Sequence, residues 1–386
     1  MKKNVKEMKI IIRTIFIVAS AIVNLNAQDA FFYESKQIRS YINPALTGLN
    51  GSLSFNIIGK EQFINNVGDF ISGGISIEQS WPCSKIDVGI YHIFDKEGAG
   101  SFKTNHTALN FVYTLPIKIK RNLHNFRIGI KLQHTNKFID WDGLVFSDQI
   151  DPKYNLTDAF GVANPSDFTP PDWSSISRLT MGLGFIHKVN IGHVYKWSLT
   201  WGASVENYTN AFESKGYDSI LAIENDKNRL INKWSFYLAP EFPITKSYKD
   251  YFGFRPSVVI LQESLLTNIQ FGFDTNYRRA YGLGLYFGAG HFNEFDRDIK
   301  SLIVNTYVRA YSTRTSQLNI GFQYVHNIGG LSEVFGQTMQ LSLSYHFKKD
   351  GCAGTPTTTS DCPPTSRRDQ LLYENIWFTL AAGKNN

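Results

Sequence analysis

The stretch Gln337 to Phe347 reads Gln-Thr-Met-Gln-Leu-Ser-Leu-Ser-Tyr-His-Phe and alternates with a period of two. Met339, Leu341, Leu343, Tyr345 and Phe347 fall on one face of an extended strand, and Thr338, Gln340, Ser342, Ser344 and His346 on the other. Side chains of a strand alternate between faces, so an apolar/small-polar dyad of about 10 residues ending in an aromatic has the form of one transmembrane barrel strand.

The same dyad recurs along the chain. It predicts strands near 52–60, 70–79, 85–94, 104–115, 124–135, 178–189, 194–205, 230–239, 254–263, 267–274, 280–289, 301–310, 316–324 and 337–347, with boundaries good to about two to four residues. Phe126, Ile128, Ile130 and Leu132 oppose Arg127, Gly129, Lys131 and Gln133, for example. Two segments fit less cleanly, since 254–263 contains Pro256 and 267–274 is short. The fold expected is all-β, a transmembrane antiparallel β-barrel of about 14 strands. A soluble sandwich also alternates, but it gives no reason for loop lengths to alternate. With an even strand count and both termini in the periplasm, connections after odd strands face outward and should be the long ones. The two longest gaps, 136–177 and 206–229, follow the fifth and seventh predicted strands.

Composition agrees. Tyr 19, Phe 29, Trp 7 and Gly 30, with only 19% charged residues, suit strands. A mean hydropathy of -0.21 is too low for a helical membrane bundle, and beyond the N-terminus no apolar run reaches the roughly 18 residues a spanning helix needs. Residues 1–27 read as a signal peptide. Lys2, Lys3, Lys6, Lys9 and Arg13 form its basic region, Ile15 to Val23 its apolar region, and Leu25-Asn26-Ala27 its cleavage site. Its removal takes the balance from 39 minus 33 (+6) to 34 minus 32 (+2), which leaves a nucleic-acid partner without electrostatic support. The domains expected are therefore the signal peptide 1–27, an irregular entry segment 28–51, a barrel over 52–347 and a periplasmic tail 348–386. Within that tail Cys352 and Cys362 bracket a Pro/Thr tract and could form a short disulfide, and 376–380 could form a short strand.

No constellation asks for catalysis. The nine histidines are scattered singly, so no metal is expected. Gly182-Leu-Gly184 and Gly282-Leu-Gly284 sit inside predicted strands without a following helix, and read as lumen-facing glycines rather than phosphate loops. Asp140, Asp142, Asp148 and Asp151 cluster in the long loop; they could serve hydrolysis or calcium, but Asp-rich loops ordinarily build turns. Inward charges at Glu78, Glu206, Arg127, Lys131 and Arg309 fit either a solute path or a hydrated wall. No cofactor is implied.

Three stretches resemble a known family. These are Tyr41-Ile42-Asn43-Pro44-Ala45-Leu46-Thr47-Gly48, the loop Leu144-Val145-Phe146-Ser147-Asp148-Gln149-Ile150-Asp151-Pro152, and the closing strands from Pro256-Ser257 through Phe347. Together they resemble the PorP/SprF family of type IX secretion system outer-membrane proteins, known from gliding or secreting Bacteroidetes. The resemblance implies a noncatalytic outer-membrane barrel that supports export or surface retention of substrates with C-terminal sorting domains. Its partners would be outer-membrane lipid, type IX components and a secreted substrate, with no nucleic acid. Asn43, Pro44, Gly48, Trp141, Phe146, Asp148, Gln149, Asp151, Pro152 and Trp173 are the candidate partner contacts. The outer loops also carry Tyr154, Phe160, Phe168, Phe212 and Tyr217. Two arrangements are open for these aromatics, anchoring a partner or packing together to cap the barrel. The alternative function is a passive porin or solute transporter, suggested by the small-polar inner face.

Overall fold

The computed structural model describes residues 38–347 except 65–69, 82–83, 99–101, 120–121, 142–143, 152, 154, 158–159, 170–173, 191–196, 208–231, 246–251, 264–265, 279, 293–298, 314–315 and 329–335. The expected signal peptide, the tail with Cys352 and Cys362, and residues Cys83, Pro152, Tyr154, Trp173, Phe212 and Tyr217 lie outside the described residues.

Fourteen strands follow one another in sequence. They are β1 (Ser54–Ile64), β2 (Phe70–Trp81), β3 (Ile86–Glu97), β4 (Phe102–Ile119), β5 (Asn122–Phe138), β6 (Ser175–Asn190), β7 (Ser198–Glu206), β8 (Lys233–Pro243), β9 (Phe252–Glu263), β10 (Leu266–Tyr277), β11 (Tyr281–Phe292), β12 (Ile299–Ser312), β13 (Ser316–Asn327) and β14 (Gln337–Phe347). Each pairs antiparallel with its sequence neighbours, and β14 returns to β1 through Ser54↔His346, Phe55↔Tyr345 and Ile57↔Leu343. The sheet is thus closed, which removes the edges that lipid would leave unsatisfied. All fourteen predicted strands are present. No helix among the described residues is long and apolar enough to cross a membrane.

The dyad sorts itself with the apolar face outward. Phe111, Tyr113 and Leu115 of β4 and Ile128, Ile130 and Leu132 of β5 are exposed, while Asn110, Thr114, Arg127 and Lys131 are buried. A soluble protein would do the reverse; a barrel in lipid solvates the outer face with acyl chains and turns polar groups to the lumen. The β5–β6 connection leaves the rim opposite the one at which β1 begins and β14 ends.

Pro256 is accommodated because it stands opposite another proline. The β8–β9 ladder runs through Leu238↔Val258, breaks, and resumes at Phe242↔Phe254, so the same register sets Pro240 against Pro256. Neither residue has an N–H to donate, and the break is where both donors are missing.

Candidate functional site

The entry segment does not lie outside the barrel. Ile38–Asn50 is buried throughout, folded into the lumen as two single 3-10 turns, Arg39–Tyr41 and Pro44–Leu46. Asn43 makes the join between them. Its extended backbone precedes Pro44, and its Oδ1 accepts from the Ala45 amide at 2.9 Å, capping the second turn. The segment descends from Ile38, packed with Ile58 and Ile93 near mid-barrel. It ends at Asn50, whose Nδ2 lies 2.9 Å from His346 Nδ1 near the rim where the strands begin and end.

The wall is shaped to receive it. Inward glycines on three strands stand where the plug passes closest. A Cβ at Gly129 would fall 2.6 Å from the Pro44 carbonyl carbon and 2.8 Å from Ala45 Cα; one at Gly184 would meet Pro44 Cγ at 2.8 Å, and one at Gly89 would meet Thr47 Cγ2 at 2.5 Å. Apolar plug residues fill small hydrophobic clusters, with Ile42 against Tyr237, Ala239, Val259 and Leu261, and Leu46 and Leu49 against Ile186.

Buried charges satisfy the plug backbone, which cannot form a ladder of its own. Arg127 Nε donates to the Ala45 carbonyl at 2.9 Å, its Nη2 donates to the Thr47 carbonyl, and it pairs with Asp87 at 2.9 Å. Lys131 Nζ donates to the Tyr41 carbonyl at 3.0 Å and forms an ion pair with Glu206. Ser204 Oγ donates to the Ile42 carbonyl at 3.0 Å, and Glu78 Oε2 accepts from the Gly48 amide at 2.8 Å. Tyr41 sits in a cationic and aromatic nest, with Lys233 Nζ 4.7 Å from its ring centroid and Tyr91 edge-on at 5.9 Å. Across the lumen, Arg255 pairs with Asp274 at 2.7 Å and Tyr286 donates to the same carboxylate.

The result is a filled interior. Thr338, Gln340, Ser342, Ser344 and His346, the inward face of β14, are only 1 to 7% exposed. A water-wide channel would wet this polar face.

At the opposite rim the β5–β6 connection builds a second feature. The strands continue into it through the Ile139 amide, which donates to Ser174 at 2.9 Å. A 3-10 turn, Ser147–Gln149, follows, with the Phe146 amide donating to Gln149 Oε1 at 2.9 Å. Isolated bridges Asp151↔Asn155 and Thr157↔Ala163 shape the next residues. Asn164 ties the parts together, its Nδ2 donating to the carbonyls of Gln149 at 2.9 Å and of Asn155 and Thr157 at 3.3 Å each. Asp148 Oδ2 accepts from the Asp167 amide at 2.6 Å and the Ser166 hydroxyl at 2.8 Å. Those two donors hold its carboxyl below the usual carboxylate range. Trp141 and Phe146 pack on Phe168 with ring centroids 5.7 and 4.6 Å apart.

The chain has counterparts among known proteins. Residues 24–345 match the family described as type IX secretion system membrane protein PorP/SprF. The chain belongs to this family. Membership and the closed barrel together place it in the outer membrane. No curated protein matches the chain. Among solved structures, the CymD monoaromatic hydrocarbon channel shares 8% identity over 84% of this chain and 96% of its own, with a TM-score of 0.42. A Pseudomonas aeruginosa FadL homologue shares 10% over 80% and 93%, with a TM-score of 0.38. A bacterial polysaccharide outer membrane secretin shares 7% over 78% and 99%, with a TM-score of 0.37. Such remote likenesses carry no functional argument.

In this PorP/SprF barrel the candidate contacts divide into two groups. Asn43, Pro44 and Gly48 are buried in the lumen, where Asn43 caps a turn and Gly48 takes the left-handed φ of 72° beside Glu78 and Asp87. Trp141, Phe146, Asp148, Gln149 and Asp151 come together in the outer loop, and Asp148, Gln149 and Asp151 serve its internal hydrogen bonds. Of the loop aromatics, Trp141, Phe146 and Phe168 pack together, whereas Phe160 is 91% exposed. The anchors at Arg127, Lys131, Glu78 and Glu206 were legible as inward charges, but not their common target. Glycines at Gly89, Gly129 and Gly184, inward on β3, β5 and β6, were the signal that a backbone passes close.

Proposed function

We propose that this PorP/SprF barrel is a noncatalytic outer-membrane component of type IX secretion that supports export or surface retention of particular substrates with C-terminal sorting domains, acting by protein–protein contact. The observation that supports contact over conduction is the interior itself. The polar inner face that suggested a porin is spent on the plug and on buried side-chain pairs, with Arg127, Lys131 and Ser204 all turned to plug carbonyls. A conducting barrel keeps such groups for water and solute. The outer loop offers the second support, an ordered structure on the exterior rim.

Deleting the chain and comparing surface and culture-fluid proteins tests the reading. Loss of a defined set of sorted proteins from either fraction is expected, and an unchanged set would refute it. Reconstitution in planar bilayers addresses the porin alternative: the intact chain should show no steady conductance, and a steady ohmic pore would favour passive transport.

A further inference from the structure

The outer loop presents apolar side chains on a frame that its own polar groups tie together. Asn164 donates to three backbone carbonyls, and Asp148, itself exposed, accepts from Ser166 and Asp167. Several apolar side chains of the loop point out. Val145, Ile150, Leu156, Phe160 and Val162 are 54, 52, 41, 91 and 62% exposed. These residues are beyond the strands, past Ile139 and before Ser174, so acyl chains do not account for them as they do for the barrel wall. Apolar groups held outward on an ordered frame lose little entropy when covered, which is the condition for a contact surface.

Charge selects what covers them. Residues 139–174 contain seven aspartates and one lysine, Lys153. Asp148 is committed to the frame, but the side chains of Asp140 and Asp167 are exposed. We infer that the loop Leu144–Phe168 is a docking surface for an exterior protein whose contact face carries Lys or Arg around an apolar strip. The apolar side chains provide the area to be buried and the aspartates exclude acidic competitors and steer basic partners. This rests on the contact role proposed above and adds the chemistry of the partner.

The experiment places the photocrosslinker p-benzoylphenylalanine at Phe160 of the full chain and irradiates intact cells. A second chain carrying it at Leu341, on the lipid-facing wall, serves as control. The expected result is a protein adduct at Phe160 but not at Leu341, with the crosslinked peptide of the partner holding Lys or Arg within a few residues of an apolar side chain. Asp140→Asn with Asp167→Asn, which leaves Asp148 and its bonds in place, should cut the yield at least about threefold, as should irradiation in about 0.5 M salt, where exposed charges are screened. An adduct confined to lipid or to this chain's own barrel, a partner peptide without basic residues, or a yield indifferent to both treatments would overturn the proposal. Export measured on deletion is read separately. If export fails on deletion while Phe160 finds no basic partner, only the docking surface is lost; if Phe160 finds one and export is unchanged, only the secretion role is lost.

Discussion

The Arg127 guanidinium lies 2.9 Å from the Asp87 carboxylate, both side chains buried, and donates to the Ala45 carbonyl through Nε and to the Thr47 carbonyl through the same Nη2 that faces Asp87. One residue of the wall thus holds both a buried counter-charge and the plug. Replacing it leaves Asp87 uncompensated and two plug carbonyls without donors, a loss of about 3–5 kcal/mol by analogy with broken buried pairs. Even about 3 kcal/mol raises the unseated fraction roughly a hundredfold. Arg127→Met should therefore give channel openings in planar bilayers where the parent is closed, and Arg127→Met with Asp87→Leu should be more stable than Arg127→Met alone. Unchanged conductance would mean the plug does not depend on this anchor.

Glycines test the seat independently of charge. Gly129→Leu would drive a side chain into the Pro44 and Ala45 backbone, which cannot yield as a flexible side chain can. Expulsion of the plug follows, read as bilayer conductance and as new protease cleavage within 38–53. Gly59→Ala is the control, because Gly59 faces outward and an added methyl there would meet nothing within 4 Å. Its effect should stay within about 0.5 kcal/mol.

These two features differ in how far the sequence reveals them. The wall is written in a local code. Side-chain parity depends only on neighbours along one strand, so Gln337–Phe347 or Phe126–Gln133 can be read without knowing what they pair with. Pro256 argues locally against a strand, and the reason it is tolerated lies on another strand at Pro240. The plug is written in a non-local code. Asn43-Pro44 and Gly48 mark irregular backbone, but Ala45 meets Gly129 and Arg127, and Ile42 meets Ser204, across separations that no local pattern reports. The outer loop is intermediate: its turn-forming aspartates are visible, whereas the triple role of Asn164 is not.

Acid should loosen the outer loop before the barrel. The Asp148 carboxyl is held below its ordinary value by the Asp167 amide first and the Ser166 hydroxyl next. A depressed folded pKa means the stabilisation is fully present above the unfolded carboxylate value, near about 3.9, and is lost as pH falls through the lower folded value. Hydrogen exchange of the Asp167 amide, corrected for intrinsic rate, should be flat from about pH 5 to 8 and rise below about pH 4. Asp148→Asn should remove that rise and leave protection low throughout.

Asn164→Ala removes one side-chain amide that bridges Gln149, Asn155 and Thr157. With a net worth of about 0.5–1.5 kcal/mol for an ordinary hydrogen bond, and less for the two longer ones, the frame should lose roughly 1–3 kcal/mol. The loss is local. Limited proteolysis should cut between Leu144 and Phe168 far faster than in the parent, while the heat-dependent shift of the barrel on gels stays where it was. A parallel loss of barrel stability would show that the loop is part of the wall's cooperative unit.

Pro240 and Pro256 make the opposite kind of prediction, a gain. The ladder on either side of them is regular from Lys233↔Glu263 to Leu238↔Val258 and again at Phe242↔Phe254, so the strands already lie in register where the bonds are missing. Supplying N–H groups there requires no rearrangement of the wall. Pro240→Ala with Pro256→Val should restore two ladder bonds, each worth about 0.5–1.5 kcal/mol, against the small loss of chain stiffness that proline provides. The double variant should therefore denature at a higher temperature, and each single variant by about half the increment. No gain in the double variant would mean that the break belongs to the twist of the barrel at this seam and not to the missing donors.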